Sequence, residues 1–279
     1  MRIILPKEQI KGQRITISGE KARYLISVLR CNAGDELQVF DGEGSFYKSR
    51  ISGIDNKEVK IDLLEKIPFD TESPLNLILI QGILKGDKMD WVIQKATELG
   101  VKEIIPAITE RGQIRETRKA ARWRKIAEEA SRQSGRTMIP VVHEPMEFSN
   151  FFESLVNSHK IKGFIFWEDG GPKISEALER FHITEHRIQH TPSLTLPPRG
   201  GGMGGGADSY LSSLISQFFL VIGPEGGFTK EEVKLAESRG LIATSLGKRI
   251  LRAETAAISA VTLVQFLMGD IAGCSASGG

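Results

Sequence analysis

Past residue 74 the chain alternates short apolar runs with amphipathic stretches, and no other feature narrows its fold as far. Residues 75–80, 103–108, 161–167, 218–222 and 242–246 read as strands. Residues 89–99, 118–134, 174–181, 230–238 and 255–268 read as helices, the first ending at Gly100. A strand that is apolar on both sides must be covered on both sides, and helices between successive strands supply that cover. The expected class is therefore α/β, with a parallel sheet between helices.

Residues 1–70 have a different rhythm. Short β-prone runs at 15–17, 36–40, 46–51 and 59–63 surround one helical stretch, 20–29, opened by Ser18 or Gly19. Asp41-Gly42-Glu43-Gly44 reads as a hairpin turn. The pattern predicts a compact β-barrel over 1–70, a linker at 68–74 and a second domain over 74–270. Residues 191–208 carry Pro192, Pro197 and Pro198 and then a run of glycines, a composition that cannot pack a core. They read as an insertion, and 271–279 as a disordered tail.

Hydrophobic residues make up 40% of the 279 and charged residues 26%, enough apolar surface for a core without disulfides or metal. Cys31 and Cys274 form no disulfide or zinc pattern. His182, His186 and His190 share a helical spacing, but no acidic or cysteine cluster completes a metal site, so none is expected. No apolar run approaches a membrane span, and the stretch before Pro6 is too short for a signal peptide. These features predict a soluble cytoplasmic protein. Net charge is +2, but nine basic residues against three acidic ones fall between Arg111 and Arg136. Such a run binds phosphate or simply solvates a helix face.

Two segments carry chemistry. Gly223-Pro224-Glu225-Gly226-Gly227 follows the 218–222 strand and precedes a helix opening near Thr229. Ligands of open α/β sheets sit past the carboxyl ends of strands. Leu246-Gly247-Lys248-Arg249-Ile250-Leu251-Arg252-Ala253-Glu254 follows another strand and leads into the last helix. Arg252 there offers a planar fork to developing negative charge. Lysines 85, 88 and 95, around the 89–99 helix, touch RNA or are solvated.

Taken in order, Val28-Leu29-Arg30, Gly34-Asp35, Phe40-Asp41-Gly42, Lys95-Ala96-Thr97-Glu98-Leu99-Gly100, Glu110-Arg111, Gln133-Ser134-Gly135-Arg136, the Gly-Pro-Glu-Gly-Gly turn and Leu251-Arg252-Ala253-Glu254-Thr255-Ala256 carry a resemblance. The chain resembles the RsmE-like bacterial small-subunit ribosomal RNA uridine-N3 methyltransferases of the SPOUT superfamily. The resemblance implies an N-terminal PUA-like barrel and a SPOUT α/β domain with a C-terminal trefoil knot. It implies a homodimer and S-adenosyl-L-methionine as methyl donor, with small-subunit ribosomal RNA, as the assembled subunit, for substrate. Three loops would hold the donor: Trp167 and Glu168; Ile222, Gly223, Pro224, Glu225 and Gly226; and Leu246, Gly247, Ile250 and Leu251. Three departures stand out: Tyr24 where such sequences often carry His, Lys248 where Pro is common, and the Pro/Gly insertion.

N3 of uracil is a weakly acidic imide and a poor nucleophile until its proton leaves. Arg252 is the expected stabiliser of the resulting charge, with Glu254 or Glu225 as base or as its holder. Arg23, Arg30, Lys85, Arg111, Arg132 and Arg136 are the expected RNA contacts. Two other functions stay open on sequence alone: a non-catalytic RNA-binding or ribosome-assembly factor of the same fold, and a methyltransferase acting on transfer RNA.

Overall fold

The computed structural model describes residues 1–55, 57–68, 71–154, 161–189 and 217–271. The insertion at 191–208, the tail beyond Ile271 and the side chains of His182, His186 and His190 lie outside the described residues. The chain divides into two units, Met1–Glu72 with Ala127–Pro140, and Ser73–Ile126 with Val141–Gly279.

The first unit is built on a five-stranded sheet of β1 (Arg2–Ile4), β2 (Arg14–Ile17), β3 (Glu36–Phe40), β4 (Phe46–Asp55) and β5 (Glu58–Ile67). The order is β1-β3-β4-β5-β2. β1 runs parallel to β3, and the other pairs are antiparallel. Side chains alternate across a strand, so Ile15 and Ile17 of β2 join Leu37, Val39, Ile51 and Ile61 in one core. Register shifts at Lys48/Ser49 and Ile51/Gly53 bend the long β4–β5 ladder and curl the sheet.

The stretch read as one helix over 20–29 is α1 (Gly19–Arg23) followed by a π-helical turn, Tyr24–Val28. The wider turn closes with the Leu29 amide donating to the Tyr24 carbonyl at 3.0 Å, and the chain leaves through Arg30 at φ 52°. It keeps Leu25 in the core and turns Val28 outward, 64% exposed. The hairpin at 41–44 is organised by Asp41, whose Oδ1 accepts from the Glu43 and Ser45 amides, both at 2.8 Å. Main-chain bonds from Ile139 to Gly42 and from Gly44 to Thr137 close residues 137–139 onto it.

The second unit holds a seven-stranded parallel sheet. Its strands are β6 (Leu77–Gly82), β7 (Glu103–Ile108), β8 (Val141–Val142), β9 (Met146–Glu147), β10 (Lys162–Phe166), β11 (Phe218–Ile222) and β12 (Ile242–Thr244). The order is β12-β10-β11-β6-β7-β8, with β9 also on β7. β6 and β11 are buried along their whole length, as two-sided apolar strands must be. The helices are α2 (Lys88–Glu98), the start of α3 (Ala120–Ser134, of which the part from Ala127 belongs to the first unit), α4 (Phe148–Ser154), α5 (Ile174–Gln189), α6 (Lys230–Ser238) and α7 (Ala253–Met268). α6 opens with a capping box in which Thr229 and Glu232 satisfy each other's end of the first turn.

The segment read as a linker is anchored at Glu72 and Ser73. Glu72 Oε1 accepts from the Thr137 and Met138 amides, both at 3.1 Å, inside the first unit. Ser73 Oγ donates to Gln265 Oε1 at 2.7 Å inside the second. Gln265, fully buried on α7, also donates to the Leu99 carbonyl and ties α7 to the end of α2. No described helix is long and apolar enough to cross a membrane.

Candidate cofactor and active site

Three parallel strands set the site. Phe166 of β10 stands beside Ile222 of β11 on one side and Thr244 of β12 on the other. Parallel strands in register share a carboxyl edge, so the loops that follow them must emerge together. They enclose a cavity of about 390 Å³. Trp167 and Glu168 supply one wall, Ile222 to Glu225 with Gly227 and Phe228 a second, and Ser245 to Leu251 a third. Lys88, Phe166, Arg252, Ala253 and Ala256 complete the lining.

Each loop is held by its own local chemistry. The Trp167 amide donates to the Thr244 carbonyl at 3.1 Å, fixing the exit of β10 to that of β12. Gln81 is fully buried at the end of β6, and its side-chain nitrogen donates to the Gly223 carbonyl at 3.3 Å. Gly227 takes φ 68°, and a Cβ there would lie 2.8 Å from Glu168 Oε1. Only glycine meets both demands cheaply. Ser245 Oγ accepts from the Gly247 amide and donates to its carbonyl, both at 3.1 Å, tightening the third loop.

Of the residues expected around a methyl donor, Trp167, Glu168, Ile222, Gly223, Pro224, Glu225, Leu246, Gly247, Ile250 and Leu251 all line this cavity. Gly226 does not. It packs against Arg111, where a Cβ would meet the main-chain oxygen at 2.7 Å. Arg252 is the N-cap of α7, in extended backbone at φ −62° and ψ 148°, and it lines the cavity.

The two candidate bases differ. Glu225 Oε1 accepts from the Lys85 amide at 3.3 Å and from Lys88 Nζ at 3.0 Å. Burial opposes its charge, but main-chain amides and the Lys88 ammonium outweigh that, holding the carboxyl below the usual carboxylate range. Glu254 is not part of the lining. Its Oε2 is 3.8 Å from Lys88 Nζ, buried, and without a hydrogen-bond partner among the described residues.

The expected RNA contacts separate. Arg23, Arg30 and Lys85 are exposed. Arg111 is half exposed and 3.9 Å from Glu168. Arg132 lies over the Tyr24 ring, 4.7 Å from its centroid, and donates to the Tyr24 hydroxyl and to Glu129. Arg136 is a correction. It is 3% exposed, and its guanidinium pairs with Glu72 at 2.6 Å, so it is a buried structural cation with no surface to offer RNA. Lys88, expected to touch RNA or to be solvated, lines the cavity, beside carboxylates that are distant in sequence. No group of metal-binding side chains occurs among the described residues.

A cavity at the carboxyl edge of a parallel sheet, walled by glycine turns and apolar side chains, marks an enzyme that holds a small organic cosubstrate. The chain belongs to the RNA methyltransferase domain family, which matches residues 71–265, while the RNA methyltransferase PUA domain matches 17–64. It is 31% identical over 274 residues to the ribosomal RNA small subunit methyltransferase E of Buchnera aphidicola subsp. Acyrthosiphon pisum, covering 96% of this chain and 94% of the relative. The protein of that name from Bacillus subtilis is 28% identical over 278 residues, covering 96% and 98%. The crystal structure of the Neisseria gonorrhoeae protein of that name, bound to S-adenosyl methionine, superposes with a TM-score of 0.76. It is 30% identical and covers 97% of this chain and 98% of that one.

Proposed function

We propose that the chain methylates N3 of a uridine in small-subunit ribosomal RNA, using S-adenosyl-L-methionine. The carrying observation is that the ten cavity residues expected around the donor converge from three separate loops, with Arg252 at the same wall. The chemistry of the lining suits that donor. Trp167, Ile222, Leu246 and Leu251 offer apolar surface to a flat base, and Glu168 and Glu225 offer carboxylates to cationic groups. S-adenosylmethionine supplies an electrophilic methyl group on a sulfonium.

The protein's own part is alignment and charge. The cavity walls hold the reacting groups in contact distance, which alone is worth several orders of magnitude. Arg252 donates to one of the two uracil carbonyls flanking N3, where negative charge grows as the imide proton leaves. Arg23 and Arg30 of the first unit and Lys85 and Arg111 of the second contact the RNA backbone, where each neutralised phosphate releases counterions.

The first unit serves as a PUA-like barrel and the second as a SPOUT domain with a C-terminal trefoil knot, supported by the sequence likeness. The working form is a homodimer acting on the assembled subunit in the cytoplasm. Its support is an apolar surface on the paired helices α2 and α7, where Trp91, Leu263, Phe266 and Leu267 are 41–54% exposed. Ile250, 86% exposed at the cavity rim, would be covered by the second copy.

The test is methyl transfer from labelled S-adenosylmethionine to small subunits lacking the modification, with the product nucleoside identified by mass. 3-Methyluridine is the expected product. Transfer only to transfer RNA would overturn the substrate, and no cofactor binding in calorimetry would leave an RNA binder.

A further inference from the structure

Lys88 is the first residue of α2, so its backbone is fixed by the helix that starts there. Its side chain lines the same cavity as Arg252 and keeps 38% of its surface exposed. The ammonium is 3.0 Å from Glu225 Oε1 and 3.8 Å from Glu254 Oε2. An ammonium has three donors, and the Glu225 bond takes one of them. The Glu254 oxygen lies at ion-pair distance but is buried and without a hydrogen bond among the described residues.

Those contacts redistribute the roles among the four charged groups. Glu225 Oε1 is already shared by two donors, the Lys85 amide and Lys88. Glu254 is outside the cavity lining. Both carboxylates stand within ion-pair distance of Lys88. We propose that Lys88 is a catalytic residue, its ammonium donating to one uracil carbonyl while Arg252 serves the other. This assignment rests on the uridine-N3 reading above and adds to it the second cation.

The chemistry calls for two donors. When the imide proton leaves, the charge spreads over O2, N3 and O4, so the two carbonyls flanking N3 both become stronger acceptors. The proton passes to water in the cavity. The N3 electron pair forms the new N–C bond, the methyl C–S bond breaks, and its electrons stay on sulfur. The released proton balances the lost sulfonium charge. Fixed donors aimed at developing charge stabilise it without reorganising at the moment of reaction. Glu225 and Glu254 are positioning residues in this scheme. The remaining charged groups around the cavity are Glu168, Lys248 and Arg249.

The experiment compares Lys88→Met, Lys88→Arg, Glu225→Gln and Glu254→Gln with the wild type. It reads kcat on unmodified small subunits as a function of pH, and cofactor affinity by calorimetry. Lys88→Met should lower kcat about 100-fold, the order seen when one such donor is removed, with cofactor affinity unchanged. Its deficit should narrow as pH rises, because more of the imide ionises without help. A merely structural lysine would show no such narrowing. Lys88→Arg should recover most of the loss. Glu225→Gln and Glu254→Gln keep an oxygen for Lys88, so each should lose less than about tenfold, whereas removing a true base costs roughly 100- to 10,000-fold.

The assignment is overturned if Lys88→Met stays within about threefold of the wild type, below any donor's usual worth. It is also overturned if either glutamine variant falls as far as Lys88→Met, if the deficit is constant with pH, or if Lys88→Arg fails to recover. A wild type without methyl transfer would sink the parent reading and this one with it. A wild type that transfers normally isolates the failure to Lys88.

Discussion

Two arginines of the first unit and one of the second stand in opposite situations. In the first, Arg136 is 3% exposed and locked to Glu72, and Arg132 is spent on Tyr24 and Glu129. In the second, Arg252 stands exposed at a helix start, and its guanidinium makes no ion pair among the described residues. A buried cation needs its partner to be in the interior at all. A cation that answers charge formed during a reaction must keep its donors uncommitted until then. Arg136 and Arg132 therefore hold a shape, whereas Arg252 keeps its guanidinium clear of ion pairs among the described residues.

The sharpest way to break that contrast is Glu72→Ala. It removes the Glu72 carboxylate from a buried guanidinium and takes away the acceptor of two main-chain amides. The expected cost is about 3–5 kcal/mol in stability, read by chemical denaturation, with kcat unchanged while the protein is folded. Arg252→Ala should do the reverse. It should lower kcat by about 100- to 1,000-fold, or roughly 3–4 kcal/mol of transition-state stabilisation, and leave the denaturation midpoint where it was. If both variants lost stability alike, or activity alike, the division of labour would not hold. A smaller effect is expected from Gly227→Ala, which forces a side chain into a left-handed backbone and against Glu168. A cost of about 1–2 kcal/mol should appear as lower stability in chemical denaturation.

Much of this was legible in the residues themselves. β6 and β11 stand out as apolar runs, and a helix start is legible near Thr229. The three loops that line the cavity were legible because their glycines and the strands that feed them are neighbours in sequence. What escaped depended on distance or on length. Lys88 looked like one lysine of three, because its partners Glu225 and Glu254 come from the far end of the chain. Arg136 looked like the end of a basic run, since the Glu72 that neutralises it is 64 residues away. β8 and β9 are two residues each, too short for any period to show. The π turn at Tyr24–Val28 carries the same apolar spacing as an ordinary helix over so few residues.

The mildest test concerns Glu225, which sharpens the comparison because it is the second unit's counterpart to Glu72. Glu72 leaves 8% of its side-chain surface exposed, whereas Glu225 is 29% exposed and bonded to a lysine that solvent also reaches. Hydrogen bonds from main-chain amides and Lys88 hold the Glu225 carboxyl below its ordinary value. A carboxyl lowered in the folded state contributes stability above its unfolded-state value of about 4.3. That contribution fades as pH falls through the folded value. Glu225→Gln should therefore be less stable than the wild type near neutrality by about 0.2–1 kcal/mol, the worth of a solvent-screened pair. The gap should close in acid as the wild-type carboxyl protonates. Chemical denaturation from roughly pH 3 to 7, spanning the carboxylate range, reads it directly. A gap as large as that of Glu72→Ala would mean that Glu225 holds the fold as well as Lys88. A gap that is constant with pH would mean that its charge contributes nothing to stability.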